Sequence, residues 1–219
     1  FTGPVTLTGD VYIDTVENTA NTSDTDGTVI FSSTIDGNKD LWILSGSGNV
    51  TISGAIGSED PLTGLAINTG TDDQGNSIGG GIKEGVTISI ANIGTSSDPG
   101  VSGTTLVGNT ETGTILNLTG TEYNTNTATY TASSGEHINL NGEATTTFNT
   151  SNDAITFGTS TIEMGNGSNL VVDTSTGVGA INILGGVMGT SSETITLTAG
   201  TGDVAVGAVG TGTEVADVS

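Results

Sequence analysis

Asp40–Ile67 reads DLWILSGSGNVTISGAIGSEDPLTGLAI, and the same order of residue types returns at Thr194–Ser219, TITLTAGTGDVAVGAVGTGTEVADVS. Leu41 matches Ile195, Ile43 matches Leu197, Gly46 and Gly48 match Gly200 and Gly202, and Val50 matches Val204. After one residue is lost at Ser53, Gly54-Ala55-Ile56-Gly57 matches Gly207-Ala208-Val209-Gly210, and Leu62 and Leu65 match Val215 and Val218. The unit is a short strand, a Gly-rich turn, a strand, a Gly turn and a further strand. Each strand has the form apolar-x-apolar, so two side chains face one way and one the other. So small a unit cannot enclose a core, and such units bury apolar surface only by stacking on one another.

Working outward, the same triads recur along the whole chain. Val5-Thr6-Leu7 and Val11-Tyr12-Ile13 flank Gly9-Asp10, and Val29-Ile30-Phe31 leads into the reference stretch. Val86–Ile90 is the clearest alternation. The second half adds Leu116–Leu118, Ile138–Leu140, Ile155–Phe157, Ile162–Met164, Leu170–Val172, Ile181–Ile183 and Val204–Val206. Nowhere do apolar residues recur at i, i+3, i+4 and i+7 over a helical length. The apolar runs are too short and too often broken by Gly or Asn for the longer hairpin strands of a sandwich. The expectation is an all-β, right-handed parallel β-helix (β-solenoid) with essentially no α-helix, its hand set by the crossover rule. At roughly 20–25 residues per coil it would have about nine or ten coils and a length on the order of 45 Å. Residues 1–219 read as a single solenoid segment. Polar loops fall near 14–27, 68–81 and 94–103, and Pro4, Pro61 and Pro99 sit at loop or border positions. The few aromatics (4%) fit a narrow core of Val, Ile and Leu.

Composition narrows the partners. Two cations, Lys39 and Lys83, stand against 24 acidic residues, for a net charge of −22. Nucleic-acid binding needs cations to neutralise phosphates, and an anionic membrane surface repels such a chain. No apolar run is long enough for a membrane-spanning helix. The remaining partners are other copies of the chain or its own continuation, neutral glycans, and cations. There is no cysteine, hence no disulfide and no thiolate metal site. The chain opens at Phe1 without a signal-peptide pattern, which reads as a processed product or a segment of something longer.

The units LSGSGNVTISGAIG (44–57) and LTAGTGDVAVGAVG (197–210) resemble the repeats of large bacterial surface proteins, the filamentous-haemagglutinin-like adhesins and related β-strand-repeat exoproteins. TLTGDVYIDT (6–15) and GTVIFSSTIDG (27–37) are similar to further pieces of those repeats. The resemblance implies a right-handed parallel β-helix on an exported, extracellular or cell-surface protein. It transfers no catalytic residues.

Three acidic positions are the candidate metal ligands, and calcium is the ion they would take. Asp24 and Asp26 lie in Asp24-Thr25-Asp26-Gly27, which has the D-x-D-G opening of a calcium loop but Ile35 where the distal Glu would be. Asp203, in Gly200-Thr201-Gly202-Asp203-Val204, resembles half of a calcium-binding nonapeptide, alone where such sites need consecutive repeats. Asp72-Asp73 is a further acidic pair. His137 is the one histidine and, without a second nitrogen or sulfur ligand, reads as a surface residue. Sugar hydrolysis needs two facing carboxylates, and the chain lacks the Arg and most of the aromatic platforms that such clefts use. The expectation is a non-enzyme: a structural or adhesive segment that stacks end to end into a fibre or belongs to a giant repeat protein. The alternative is a glycan- or ice-binding module, for which Tyr130–Ser134 and Ala144–Thr150 supply threonines. Five Asn-x-Ser/Thr sequons head at Asn21, Asn49, Asn117, Asn149 and Asn166.

Overall fold

The structure is a computed structural model that describes residues 1–16, 26–71, 74, 84–141, 145–151, 153–165, 167–190, 192–210 and 217–218. Every strand pairing in it is parallel, and none of the described residues is helical. The chain winds as a β-solenoid, with three ladders along its length. The first runs from Val11–Asp14 through Asp40–Leu44 and Gly64–Ile67 to Ile155–Phe157, Ile181–Ile183 and Val204–Val206. The second is a seven-stranded sheet from Val29–Phe31 to Val187–Met188. The third begins with Val5–Thr6 on Ile35–Asp36, continues through single bridges at Ile56 and Ile93, and reaches Thr146–Thr150, Leu170–Thr174 and Thr194–Ala199.

The strand Glu122–Tyr130 joins the first and third ladders. Its first half pairs with Thr146–Thr150 and its second half with Ile155–Phe157. The register against Val101–Val107 slips between Thr125 and Thr127, and such a bulge bends a strand. One nine-residue strand thereby turns a corner that later coils make with two strands.

The seven strands of the second ladder bracket six turns of chain, and partial coils extend the stack at both ends. That is fewer than the nine or ten expected. The reason is loop length. Stacked neighbours lie only 21 residues apart at Asp26 and Ser47, but 41 apart at Asn68 and Asn109. Loops project sideways and lengthen a coil without adding a rung. Strand also intrudes on the third expected loop, since Val101–Val107 starts inside 94–103.

The sequence repeat and the coil are out of phase. Leu41 lies on the first ladder, but its match Ile195 lies on the third; Val50 lies on the second ladder and Val204 on the first. The repeated unit is thus a pair of strands with the Gly corner between them, and the fold uses it at different corners.

Inward triad positions are buried. Leu116, Ile138, Ile162 and Val187 form one column of the second ladder and Leu118, Leu140 and Met164 the next, while Asn117, Asn139 and Glu163 point outward between them. Full burial of each such aliphatic side chain stabilises by about 1.5–3 kcal/mol. The core is not aliphatic throughout, however. Tyr123, Tyr130, Phe148 and Phe157 are all buried at the corner built from Glu122–Tyr130. Tyr123 stacks on Phe148 at 4.8 Å between centroids, and Phe148 meets Phe157 edge-on at 5.0 Å. The doubled corner leaves space that four rings fill.

Candidate functional site

A groove of about 290 Å³ lies between the turn after Gly94 and the third ladder. The turn is built from its own hydroxyls. Thr95 Oγ1 accepts the amides of Ser97 at 3.3 Å and Asp98 at 3.1 Å, and the Thr95 amide donates to the Asp98 carbonyl at 2.9 Å. Its two stems nearly touch. Gly94 has φ +72°, and a Cβ there would lie 2.4 Å from the Gly100 amide nitrogen. Only glycine fits such a left-handed, crowded position. The Gly100 amide then donates to the Asn124 carbonyl at 2.8 Å, pinning the turn beside the ladder.

The groove floor is one outward column, with Asn124, Asn149 and Asp173 on successive rungs. Alternation puts them there, because Tyr123, Phe148 and Val172, each one residue earlier, point into the core. Asn124 donates its amide to the Thr95 carbonyl at 3.0 Å, which leaves its side-chain oxygen open to the groove. One oxygen of Asp173 accepts the Ser175 amide at 2.8 Å. Among the described residues, the Asn149 side chain has no hydrogen-bond partner. Thr176 Oγ1 braces the far wall by donating to the carbonyls of Thr150 and Ser151. Among the described residues that line the groove, Asp173 is the charged one.

A second polar column runs up the seven-stranded sheet. Asn139 donates to Asn117 Oδ1 at 2.8 Å, and Asn117 donates to Ser89 Oγ at 3.4 Å. These amides satisfy one another and tie coils together. His137 and Glu163 stand beside them with Nε2 3.9 Å from Oε2, an exposed pair of the kind worth about 0–1 kcal/mol.

Of the expected calcium ligands, Asp26 and Asp203 fall within the described residues and lie on different coils. Asp24 lies outside the described residues, as do Asp72 and Asp73. Asp26 is buried and turned inward, accepting the Ser47 amide at 2.7 Å and the Ser47 hydroxyl at 3.0 Å. Its carboxylate fixes the Gly46 corner, where a Cβ would lie 2.1 Å from Asp26 Oδ2. Asp203 is exposed on the last coil. Among the described residues no three acidic or histidine side chains gather as a metal site. The geometry instead reveals a carboxylate with no sequence signal. Glu193 is fully buried and accepts the amides of Gly167 at 3.1 Å, Thr190 at 2.7 Å and Ser192 at 3.1 Å, clamping two neighbouring loops.

An apolar recess of about 300 Å³ opens at the first coil, lined by Val5, Leu7, Val11, Ile13, Phe31 and Leu41. Phe1 covers part of it by stacking on Phe31 at 4.5 Å. Of the exposed large apolar residues, Phe1, Tyr12 and Ile30 lie at one end of the stack and Val204 and Val209 at the other, while Val178 and Leu184 flank the strand one rung before Val204–Val206. No protein-family model, curated protein or solved structure matches the chain.

Proposed function

We propose that the chain is a structural, adhesive solenoid segment of an extracellular or cell-surface protein, and that it lengthens by adding coils to its open first coil. The observation that carries this reading is the apolar recess at Val5–Leu41. Among the described residues, its strands Val5–Thr6 and Val11–Asp14 each have a paired neighbour on one side only. An open ladder edge over apolar side chains is a template for another strand. The coil that fills it comes from a second copy or from a continuing chain. In an isolated segment a second copy is the available partner, and head-to-tail contact of that kind runs on into a filament.

Charge opposes assembly, because each copy carries −22. Salt shortens the Debye length to about 3 Å at 1 M, so stacking strengthens as salt rises. Static light scattering at constant protein concentration reads this directly. Mass rising with sodium chloride supports the reading; a monodisperse monomer at every salt concentration overturns it. Threonine supports the ice-binding alternative less well. The outward column Leu106, Thr129, Thr156, Asn182, Ala205 carries threonine on only two successive rungs.

A further inference from the structure

We infer that the groove over Asn124, Asn149 and Asp173 is a binding site for a neutral saccharide. This does not depend on stacking, since the groove lies on the flank of the solenoid and away from its open coil.

Three observations carry the inference. The first is the open hydrogen-bonding capacity. The Asn149 amide is uncommitted, Asp173 keeps one carboxylate oxygen free, and the side-chain oxygen of Asn124 faces the groove. Together they present one NH₂ donor and several acceptors on rungs about 4.8 Å apart. Adjacent sugar hydroxyls each donate and accept, so they match a mixed amide and carboxylate column better than a uniform one. The second is preorganisation. The Thr95–Asp98 turn is fixed by its own hydrogen bonds and pinched at Gly94 and Gly100, and the rungs belong to the packed ladder. Rigid walls lower the entropic cost of binding. The third is charge. Among the described residues, one carboxylate and no cation line the groove, which disfavours uronic acids, sialic acids and phosphates. Pro99 adds a small apolar surface for sugar C–H groups.

The volume separates this ligand from a bare cation. About 290 Å³ is near the lower end of small-molecule sites. It holds one or two sugar rings, whereas calcium requires six to eight oxygens drawn close around it. An open site with so few contacts implies affinity of about millimolar.

The test is heteronuclear NMR on the full chain. It is titrated separately with glucose, galactose, mannose, N-acetylglucosamine and their disaccharides, with a galacturonate trimer and with calcium chloride. The expected result is saturable shifts at Asn124, Asn149, Asp173 and Ser96–Ser97 with at least one neutral sugar and none with galacturonate. Asn149→Ala is expected to weaken that binding at least tenfold with an unchanged melting temperature, since its side chain makes no hydrogen bond to the described residues. If Asn149→Ala alters the fold, the wild-type shift map decides alone. No shift with any neutral sugar, shifts confined to residues outside the groove, or shifts with calcium only would each overturn the inference.

Discussion

Two buried tyrosines in the same aromatic cluster are expected to respond to one substitution with opposite signs. The Tyr123 hydroxyl donates to the Ile90 carbonyl at 3.0 Å and accepts the Gly120 amide at 2.9 Å. The Ile90 carbonyl also receives the Thr119 amide and hydroxyl, so it keeps partners without the tyrosine. The Gly120 amide does not. Tyr123→Phe therefore strands one donor, at about 1–2 kcal/mol. The Tyr130 hydroxyl is fully buried and has no hydrogen-bond partner among the described residues. Tyr130→Phe removes a desolvated hydroxyl and keeps the ring against Phe148 at 5.5 Å and Phe157 at 5.7 Å. It is expected to stabilise by about 1 kcal/mol or more. At ~2–4 °C per kcal/mol for a chain of this size, the two variants straddle the wild type. Thermal and urea melts followed by near-ultraviolet circular dichroism measure both. Destabilisation of equal size in both would refute the hydroxyl assignments.

The remaining expectations follow from the same geometry. Ile183→Asp places an unpaired charge at a fully buried position and is expected to unfold neighbouring coils, whereas Thr156→Asp points outward and is tolerated; similar melting temperatures for the two would contradict the facing. Glu193→Ala leaves the amides of Gly167, Thr190 and Ser192 without their acceptor and is expected to cost about 3 kcal/mol or more, read as a lowered urea midpoint and faster amide exchange at those residues. Burial raises the ionisation of Tyr123 and Tyr130 above the usual tyrosine range. The unfolded chain therefore loses these protons near pH 10 while the folded chain holds them, so stability is full below that pH and falls as pH rises above it. Wild type is expected to lose stability there more steeply than the double variant Tyr123→Phe/Tyr130→Phe, and parallel pH profiles would contradict this.

How much the sequence reveals depends on the distance over which each feature is set. Alternation is local, so Ile138-Asn139-Leu140 and Ile181-Asn182-Ile183 announce their inward and outward residues before any fold is known. The apolar-x-apolar form also excludes helix. Coil number is not local: the polar loops near 68–81 and 94–103 are legible, but nothing in the sequence says that both belong to one coil, which puts Asn68 and Asn109 41 residues apart on neighbouring rungs. The repeat misleads about phase because Leu41 and Ile195 fill the same role at different corners. The aromatic corner is invisible because Tyr123, Phe148 and Phe157 meet only once coils stack. The roles of single carboxylates are likewise set at long range. Asp26 has the spacing of a ligand and serves as a corner brace, while Glu193, within a plain Ser-Ser-Glu-Thr run, is the carboxylate the fold encloses. The groove column Asn124, Asn149, Asp173 likewise becomes a column only through the register of three strands.

Lengthening of the solenoid by its own copies has a direct test, because the chain contains no cysteine. Tyr12 begins the outward column of the first ladder and Ala205 ends it, with Trp42, Ala66, Leu106, Thr129, Thr156 and Asn182 between. If the next copy adds its first coil in register, its opening residues take the third-ladder place that Asp217–Val218 hold on Thr194–Ile195, and its residue 12 then lies one rung beyond Ala205, about 4.8 Å away, within the Cα span of a disulfide. The double variant Tyr12→Cys/Ala205→Cys, oxidised in high salt, is predicted to give a ladder of covalent multimers that collapses on reduction, while each single variant stops at the dimer. Monomer alone from the double variant, at every salt concentration, would contradict the account.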